Sequence, residues 1–289
     1  MPVESRLGGA RSYLYVPGLQ RDRLGKAVER GADAIVADLE DAVLPRDKQL
    51  ARETVAGWLD QRRASKPQVW VRINPGGARE DIEAIAGGGF DGVMVAKAEL
   101  DLLADVDGLL AEHERRLGLA HQAVRVIALI ETATGLLDLT EIARQPRMLR
   151  LAIGEADLSG ELGILPGRDA FMPLRLGLVV ASAAARIEAP IGPVSTDFRD
   201  LSSFAESTRA LRADGFRARS AIHPAQVPVI NEAFTPSENE VAASRRLVAR
   251  LDESGSGVVL DEDGRMVDEA VVRAARSTLS AAAAGRPNP

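Results

Sequence analysis

Gly31-Ala32-Asp33-Ala34-Ile35-Val36-Ala37-Asp38-Leu39-Glu40-Asp41 (GADAIVADLED) contains the unit from which this chain is built. A stretch of helical period, Asp22–Arg30, comes before it. Gly31 then stands where a residue just past a helix end takes the left-handed conformation that only glycine adopts cheaply. The run Ala34–Asp38 reads as a strand, and acids cluster at its C-terminal end. The same helix-to-strand turn recurs at Gly89-Phe90-Asp91 and Gly215-Phe216-Arg217, and no longer internal repeat is visible.

Working outward, apolar runs fall at Ser12–Val16, Ala34–Asp38, Val69–Ile73, Gly92–Ala96, Val126–Ile130 and Leu149–Ile153. Stretches of helical spacing such as Asp22–Arg30, Lys48–Arg63, Asp81–Ala86 and Thr134–Ala143 lie between them. Strand–helix alternation argues for parallel βαβ units. Two weaker candidates, Ala189–Val194 (with Pro190 and Pro193) and Arg217–Ile222, bring the strands to eight. The expected fold is α/β, a (β/α)8 TIM barrel over residues 1–235, with an open doubly wound sheet as the alternative. Residues 236–289 form a C-terminal helical extension. In it Ser237–Leu251 and Val267–Ala284 read as helices, Asp252–Arg265 as a loop or short hairpin, and the final GRPNP as disordered. A length of 289 residues suits one barrel domain.

Composition excludes several function classes. Aromatics are 3%, so the core has to come from Ala, Val, Leu and Ile. With no cysteine there is no disulfide, thiolate metal site or cysteine nucleophile, and a reducing, cytoplasmic setting is expected. The start lacks a basic region followed by an apolar one, and no apolar run reaches membrane-spanning length. A net charge of −6 without a basic stripe argues against nucleic acid. Ser159 sits in no nucleophile elbow, and neither Gly8-Gly9 nor Gly87–Gly89 forms a nucleotide-binding fingerprint; the latter suits a helix C-cap.

The strand ends carry polar residues that a core would not choose. They are Val16-Pro17-Gly18, Asp38 to Asp41, Arg72 to Asn74, Lys97 to Glu99, Glu131-Thr132, Gly154 to Asp157, Thr196 to Asp200 and Ile222-His223-Pro224. In a parallel barrel all of these ends meet on the face where active sites form. Carboxylate oxygens suit Mg2+, with Mn2+ as the alternative. Glu131 and Asp157, at the ends of adjacent strands, can converge on one ion, or each can simply cap the helix that follows. Glu131 follows the uninterrupted run Val126–Ile130, where a charge is costly unless paired, and this favours a ligand. Arg72 can clamp a carboxylate or enolate in two-pronged fashion, or form a salt bridge with Glu40 or Asp41; an acid there would also hold it in aim. His223 reads as a fixed turn in preference to a general base.

At this point the chain resembles a known family. RSYLYVPGLQRDRLGKAVERGADAIVADLEDAVLPRDKQLAR, VRINP, DGVMVAKAE, ALIETATGLLDLTEIA, GEADLSGELGI, STDFRD and AIHPAQVPVINEAFTPS follow, in order, the citrate lyase β-subunit-like branch of the HpcH/HpaI aldolase superfamily. The resemblance spans roughly Arg11 to Leu279. It implies Mg2+ on Glu131 and Asp157, with substrate oxygens and water in the remaining positions, and Arg72 on a substrate carboxylate or oxyanion. It implies a carbon–carbon lyase that cleaves or forms a hydroxyacyl-CoA thioester such as citramalyl-CoA, malyl-CoA or citryl-CoA. The products are an acyl-CoA and an α-keto acid.

By the same resemblance Pro17, Gly18, Arg21 and Lys26 contact CoA, and Asp268, in Gly264–Asp268, transfers a proton at the acetyl carbon. That aspartate would reach a neighbouring subunit of a trimer or multiple of three, although an ordinary helix cap explains it equally. Alternatives on the same site are the β subunit of a citrate lyase complex acting on a carrier-protein thioester, a thioester hydrolase, and a malate-synthase-like enzyme. A silent binding scaffold is opposed by the intact Glu131 and Asp157. Three departures bear on the substrate. The family's Gly-Ala-Glu-Asp is Gly154-Glu155-Ala156-Asp157, its Gly-Lys-Leu-Cys is Ala218-Arg219-Ser220-Ala221, and its Pro-Lys is Ala96-Lys97.

Overall fold

The computed structural model describes residues 7–62, 67–165, 168–254, 258–260 and 264–284. The chain divides into two compact units, Met1–Asn231 and Glu232–Pro289.

In the first unit eight parallel strands close into a barrel: β1 (Ser12–Pro17), β2 (Ala34–Asp38), β3 (Gln68–Ile73), β4 (Gly92–Val95), β5 (Arg125–Ile130), β6 (Met148–Ile153), β7 (Ile191–Gly192) and β8 (Ala218–Ala221). β8 returns to β1 through the pairs Ser12↔Arg219, Tyr13↔Ser220 and Leu14↔Ala221. That closure removes the open-sheet alternative. β7 is reduced to two residues because Pro190 and Pro193 flank it, and proline has no N–H to give a ladder. The helices between the strands include Arg21–Ala27, Lys48–Leu59, Ala78–Ala84, Leu100–Leu117, Arg168–Ala185 and Leu201–Ala213. The recurring turn is as expected: Gly31, Gly89 and Gly215 take φ of +75°, +85° and +107°.

Side chains alternate across a strand, so every second residue points inward. Tyr13, Ala34, Val36, Trp70, Met94, Ile127, Leu129, Ala152, Ile191 and Ala218 form the buried interior. The expectation of a wholly aliphatic core fails at its centre, where Tyr13 and Trp70 pack with ring centroids 6.4 Å apart. Trp70 fits because its neighbour on β4 is Gly92. A Cβ at Gly92 would lie 2.3 Å from the indole ring.

The second unit holds the helices Glu238–Ser254 and Glu269–Ala284 and an antiparallel pair, β9 (Val258–Leu260) and β10 (Met266–Asp268). Leu251, Val267 and Val272 are buried together, with Leu247, Val248 and Val259 packed against them. The short hairpin thus exists, but it takes Val267 and Asp268 out of the expected last helix. Val267 pairs with Val259 instead, and its branched side chain is buried in that small core. The expected disorder of GRPNP lies outside the described residues. Among the described residues no helix is long and apolar enough to cross a membrane.

Candidate active site

One step beyond the barrel's apolar interior, towards the C-terminal ends of the strands, alternation places Tyr15, Asp38, Arg72, Glu131 and Ser220 inward. Polar chemistry therefore begins where the hydrophobic layers stop, on the face that carries active sites in such barrels.

Arg72 is the hub of this layer. Asp38 is its register partner on β2, and the two form a fork-to-fork pair: Nε donates to Oδ1 and Nη2 to Oδ2, both at 2.7 Å. Nη1 lies 3.0 Å from Glu40 Oε2 and 3.3 Å from Asp41 Oδ2. The guanidinium also sits over the Tyr15 ring, 5.2 Å from its centroid. Burial works to lower the Arg72 pKa, but the hydrogen bond and charge of Asp38 outweigh it and hold the pKa above its usual value. The expected salt bridges to Glu40 and Asp41 are present. The dominant partner, however, is Asp38, which could have been found by counting alternate residues inward along β2.

The loop bearing Glu40 is held from behind. Lys48 Nζ donates to the carbonyls of Leu39 and Glu40 and to Asn74 Oδ1, at 2.8, 2.7 and 2.6 Å. Asn74 in turn is bound by the fully buried Asp81, which also pairs with Arg52. Burial raises the Glu40 pKa, against the lowering charge of Arg72.

Glu131 directly follows β5, with only 3% of its surface exposed. Its Oε1 accepts one hydrogen bond, from the backbone N–H of Lys97 at 2.9 Å. Among the described residues Oε2 has no hydrogen-bond partner, and the carboxylate of Asp157 has none at all. Space for Glu131 exists because residue 154 is glycine: a Cβ there would lie 2.5 Å from Oε2. Burial, reinforced by the negative charge of Asp157, pushes the Glu131 carboxyl up to about 8. A buried carboxylate with an unpartnered oxygen beside a second carboxylate is a site short of positive charge. Among the described residues no group of three or more His, Cys, Asp or Glu is gathered for a metal. The protein donors are thus a pair, which suits Mg2+ with its usual complement of water and substrate oxygens.

The interchange of Glu155 and Ala156 has a structural outcome. Glu155 turns to Arg175 in a two-pronged pair at 2.6 and 2.9 Å, leaving Asp157 beside Glu131. In the sequence Lys97 reads only as a polar strand end, with no role given to it; its Nζ lies 3.3 Å from Glu40 Oε1, and the residue is held at φ +47°.

The remaining candidates are more scattered. Gly18 is buried at the β1 end and its N–H donates to the Asp38 carbonyl at 2.8 Å, with Pro17 preceding it. Arg21 and Lys26 are exposed on the following helix, and Arg21 reaches the Gly57 carbonyl at 3.1 Å. Asp268 lies in the second unit, where its Oδ1 accepts from the N–H groups of Ala270 and Val271 and caps the last helix. His223 stacks on Phe198 at 4.8 Å and its Nδ1 accepts from Ala225 N, as a fixed turn requires.

With this geometry in place, comparison with known proteins places the chain. Residues 11–224 match the family model HpcH/HpaI aldolase/citrate lyase. The chain belongs to that family. It is similar to a (3S)-malyl-CoA thioesterase of Cereibacter sphaeroides, at 32% identity over 95% of both chains. It is also similar to the citrate lyase subunit beta of Leuconostoc mesenteroides, at 29% identity over 94% of this chain and 93% of the relative. Among solved structures it resembles CitE of Mycobacterium tuberculosis in complex with magnesium, acetoacetate and coenzyme A. There the TM-score is 0.78, with 31% identity over 96% of this chain and 99% of that one.

Proposed function

We propose that this chain is a Mg2+-dependent carbon–carbon lyase acting on a hydroxyacyl-CoA thioester, of the malyl-CoA, citramalyl-CoA or citryl-CoA kind. The observation that carries the reading is the Glu131–Asp157 pair, in which the buried residue Glu131 has one carboxylate oxygen without a hydrogen-bond partner among the described residues, in the space left by Gly154. These two carboxylates would hold Mg2+, which when bound polarises the oxygens of an α-keto acid as a Lewis acid. Cleavage removes the proton of the hydroxyl group and breaks the bond between the hydroxyl-bearing carbon and the thioester's α-carbon. The electron pair passes to the thioester enolate, which then takes a proton at carbon. Arg72, locked by Asp38 and Glu40, supplies fixed positive charge for the developing oxyanion. Asp38 takes its Nε and Nη2, so the substrate would meet Nη1, on the side of Glu40 and the exposed Asp41.

Pro17 and Gly18, with Arg21 and Lys26 on the adjoining helix, would face the CoA moiety. Asp268 would transfer the carbon-bound proton from a neighbouring subunit of a trimer or multiple of three, through the extension 236–289. Magnesium, acetoacetate and coenzyme A in the similar CitE structure support the ligand classes.

Hydrolysis of the thioester on the same site is the second reading, favoured by the 32% identity to a malyl-CoA thioesterase. One assay separates the two. The purified chain with Mg2+ is given a panel of hydroxyacyl-CoA thioesters, and keto acid and free CoA thiol are followed together. Keto acid without thiol, lost with EDTA and in Glu131→Gln, is the lyase result. Thiol without keto acid is hydrolysis and overturns the lyase reading. Silence across the panel, with Mg2+ still bound, would sink both and point to a carrier-protein thioester.

A further inference from the structure

Lys97 does two things at once. It follows β4, and its φ of +47° lies in the left-handed region that a residue with a Cβ enters only when its surroundings hold it there. In that conformation its backbone N–H points at Glu131 Oε1, giving the carboxylate its one hydrogen bond among the described residues. Its side chain runs to Glu40, 3.3 Å from Oε1, while the other oxygen of Glu40 faces Arg72 at 3.0 Å. The side chain is 38% exposed.

We infer that Lys97 is a positioning residue that joins the two halves of the site: its left-handed backbone aims the carboxylate of Glu131 at the metal position, and its ammonium holds Glu40 against Arg72. The physical case is geometric. The N–H of Lys97 lies in the peptide plane between residues 96 and 97, and the next N–H, of Ala98, is held by the Leu129 carbonyl at 3.1 Å. An extended or helical φ at residue 97 would therefore be met by rotating that plane and turning the N–H away from Glu131. The buried carboxylate would then lose its only fixed donor and be free to rotate away from Asp157. Groups that orient a metal ligand in this way commonly matter nearly as much as the ligand. The strain at residue 97 is of the kind retained where a site needs a particular backbone direction. The inference rests on the metal reading of Glu131 and Asp157, and the test keeps the two apart.

Mn2+ binding to the metal-free protein is measured by calorimetry for wild type, Lys97→Gly, Lys97→Met and Lys97→Val. Glycine keeps the left-handed backbone and methionine keeps the native length, so both retain wild-type affinity. The β-branched valine is excluded from that conformation and binds about 10- to 100-fold more weakly. Lys97→Met and Lys97→Gly, lacking the ammonium, lose kcat/KM while metal affinity stays, which a purely structural role for residue 97 would not produce. Wild-type affinity in Lys97→Val, or loss of affinity in Lys97→Gly, overturns the inference. If the valine chain does not fold, the glycine chain decides alone. Failure of the wild type to bind Mn2+ refutes the metal reading itself.

Discussion

Replacing Gly154 with alanine tests whether the position of Glu131 is set by the space that glycine leaves. The added Cβ would lie 2.5 Å from Glu131 Oε2 and 2.8 Å from Glu131 Cβ, against the 3.4 Å at which ordinary contact begins. Because the stem is hit as well as the carboxylate, rotating the carboxylate alone does not relieve the clash. The backbone is not the obstacle, since Gly154 has φ −103°, which alanine accepts. The effect is therefore steric. Overpacking of this kind costs about 1–3 kcal/mol of stability. If Glu131 is the proposed Mg2+ ligand, displacing it by roughly 1 Å is expected to weaken Mg2+ about 10- to 100-fold, as disturbed outer-shell contacts do. Gly160, in the helix Glu155–Leu162 that Gly154 precedes, is the control, because nothing lies within 4 Å of a Cβ there. Gly160→Ala should stabilise by about 0.5–1 kcal/mol through lost chain entropy and leave the metal alone. Thermal melts and Mg2+ titration by calorimetry read both variants. Unchanged Mg2+ affinity in Gly154→Ala would refute the idea that this glycine sets the ligand.

Three further outcomes are expected. Arg72→Met strands Asp38, 2% exposed, without its cation and leaves Glu40 paired with Lys97; removing one partner of such a buried pair should cost about 3–5 kcal/mol, read as a lowered urea midpoint. The Glu131 carboxyl is raised to about 8 in the folded, metal-free chain. Its contribution to stability is thus complete below its ordinary carboxylate range and is lost as pH rises through about 8. The stability difference between wild type and Glu131→Gln should shift against wild type over that window, and melts at matched pH values that show no such drift would contradict the assignment. Asp268 can be a cap, a proton carrier or both: Asp268→Ala should cost about 0.5–2 kcal/mol while Asp268→Asn still caps. An asparagine variant of normal stability and full turnover removes Asp268 from the chemistry.

Much of the barrel is legible because its signals are local. Apolar runs that end in polar residues locate six strands directly, with glycine turns at Gly31 and Gly89 marking two of them, and β8 follows from the turn at Gly215. β7 is the faint one, since two prolines cut its ladder to Ile191 and Gly192 and leave almost no pattern to read. At the site Glu131 stands out because a charge after five apolar residues is improbable as packing. Asp38 is harder to see as the partner of Arg72, because three acids within four residues look alike until the register places one of them inward. Lys97 carries no sequence signal for its φ, which depends on what surrounds the β4 end.

The sequence by itself determines the strand–helix alternation, the polar strand ends, the metal-ligand candidates Glu131 and Asp157, and the family. These follow from periodicity and residue type along one stretch of chain. Tertiary structure alone decides that the sheet closes, which acid locks Arg72, that Gly154 makes room for Glu131 and Gly92 for Trp70, that Glu155 pairs with Arg175, and that the N–H of Lys97 donates to Glu131. Each depends on distances between strands far apart in the chain, and these are fixed only when the sheet closes and its register is set.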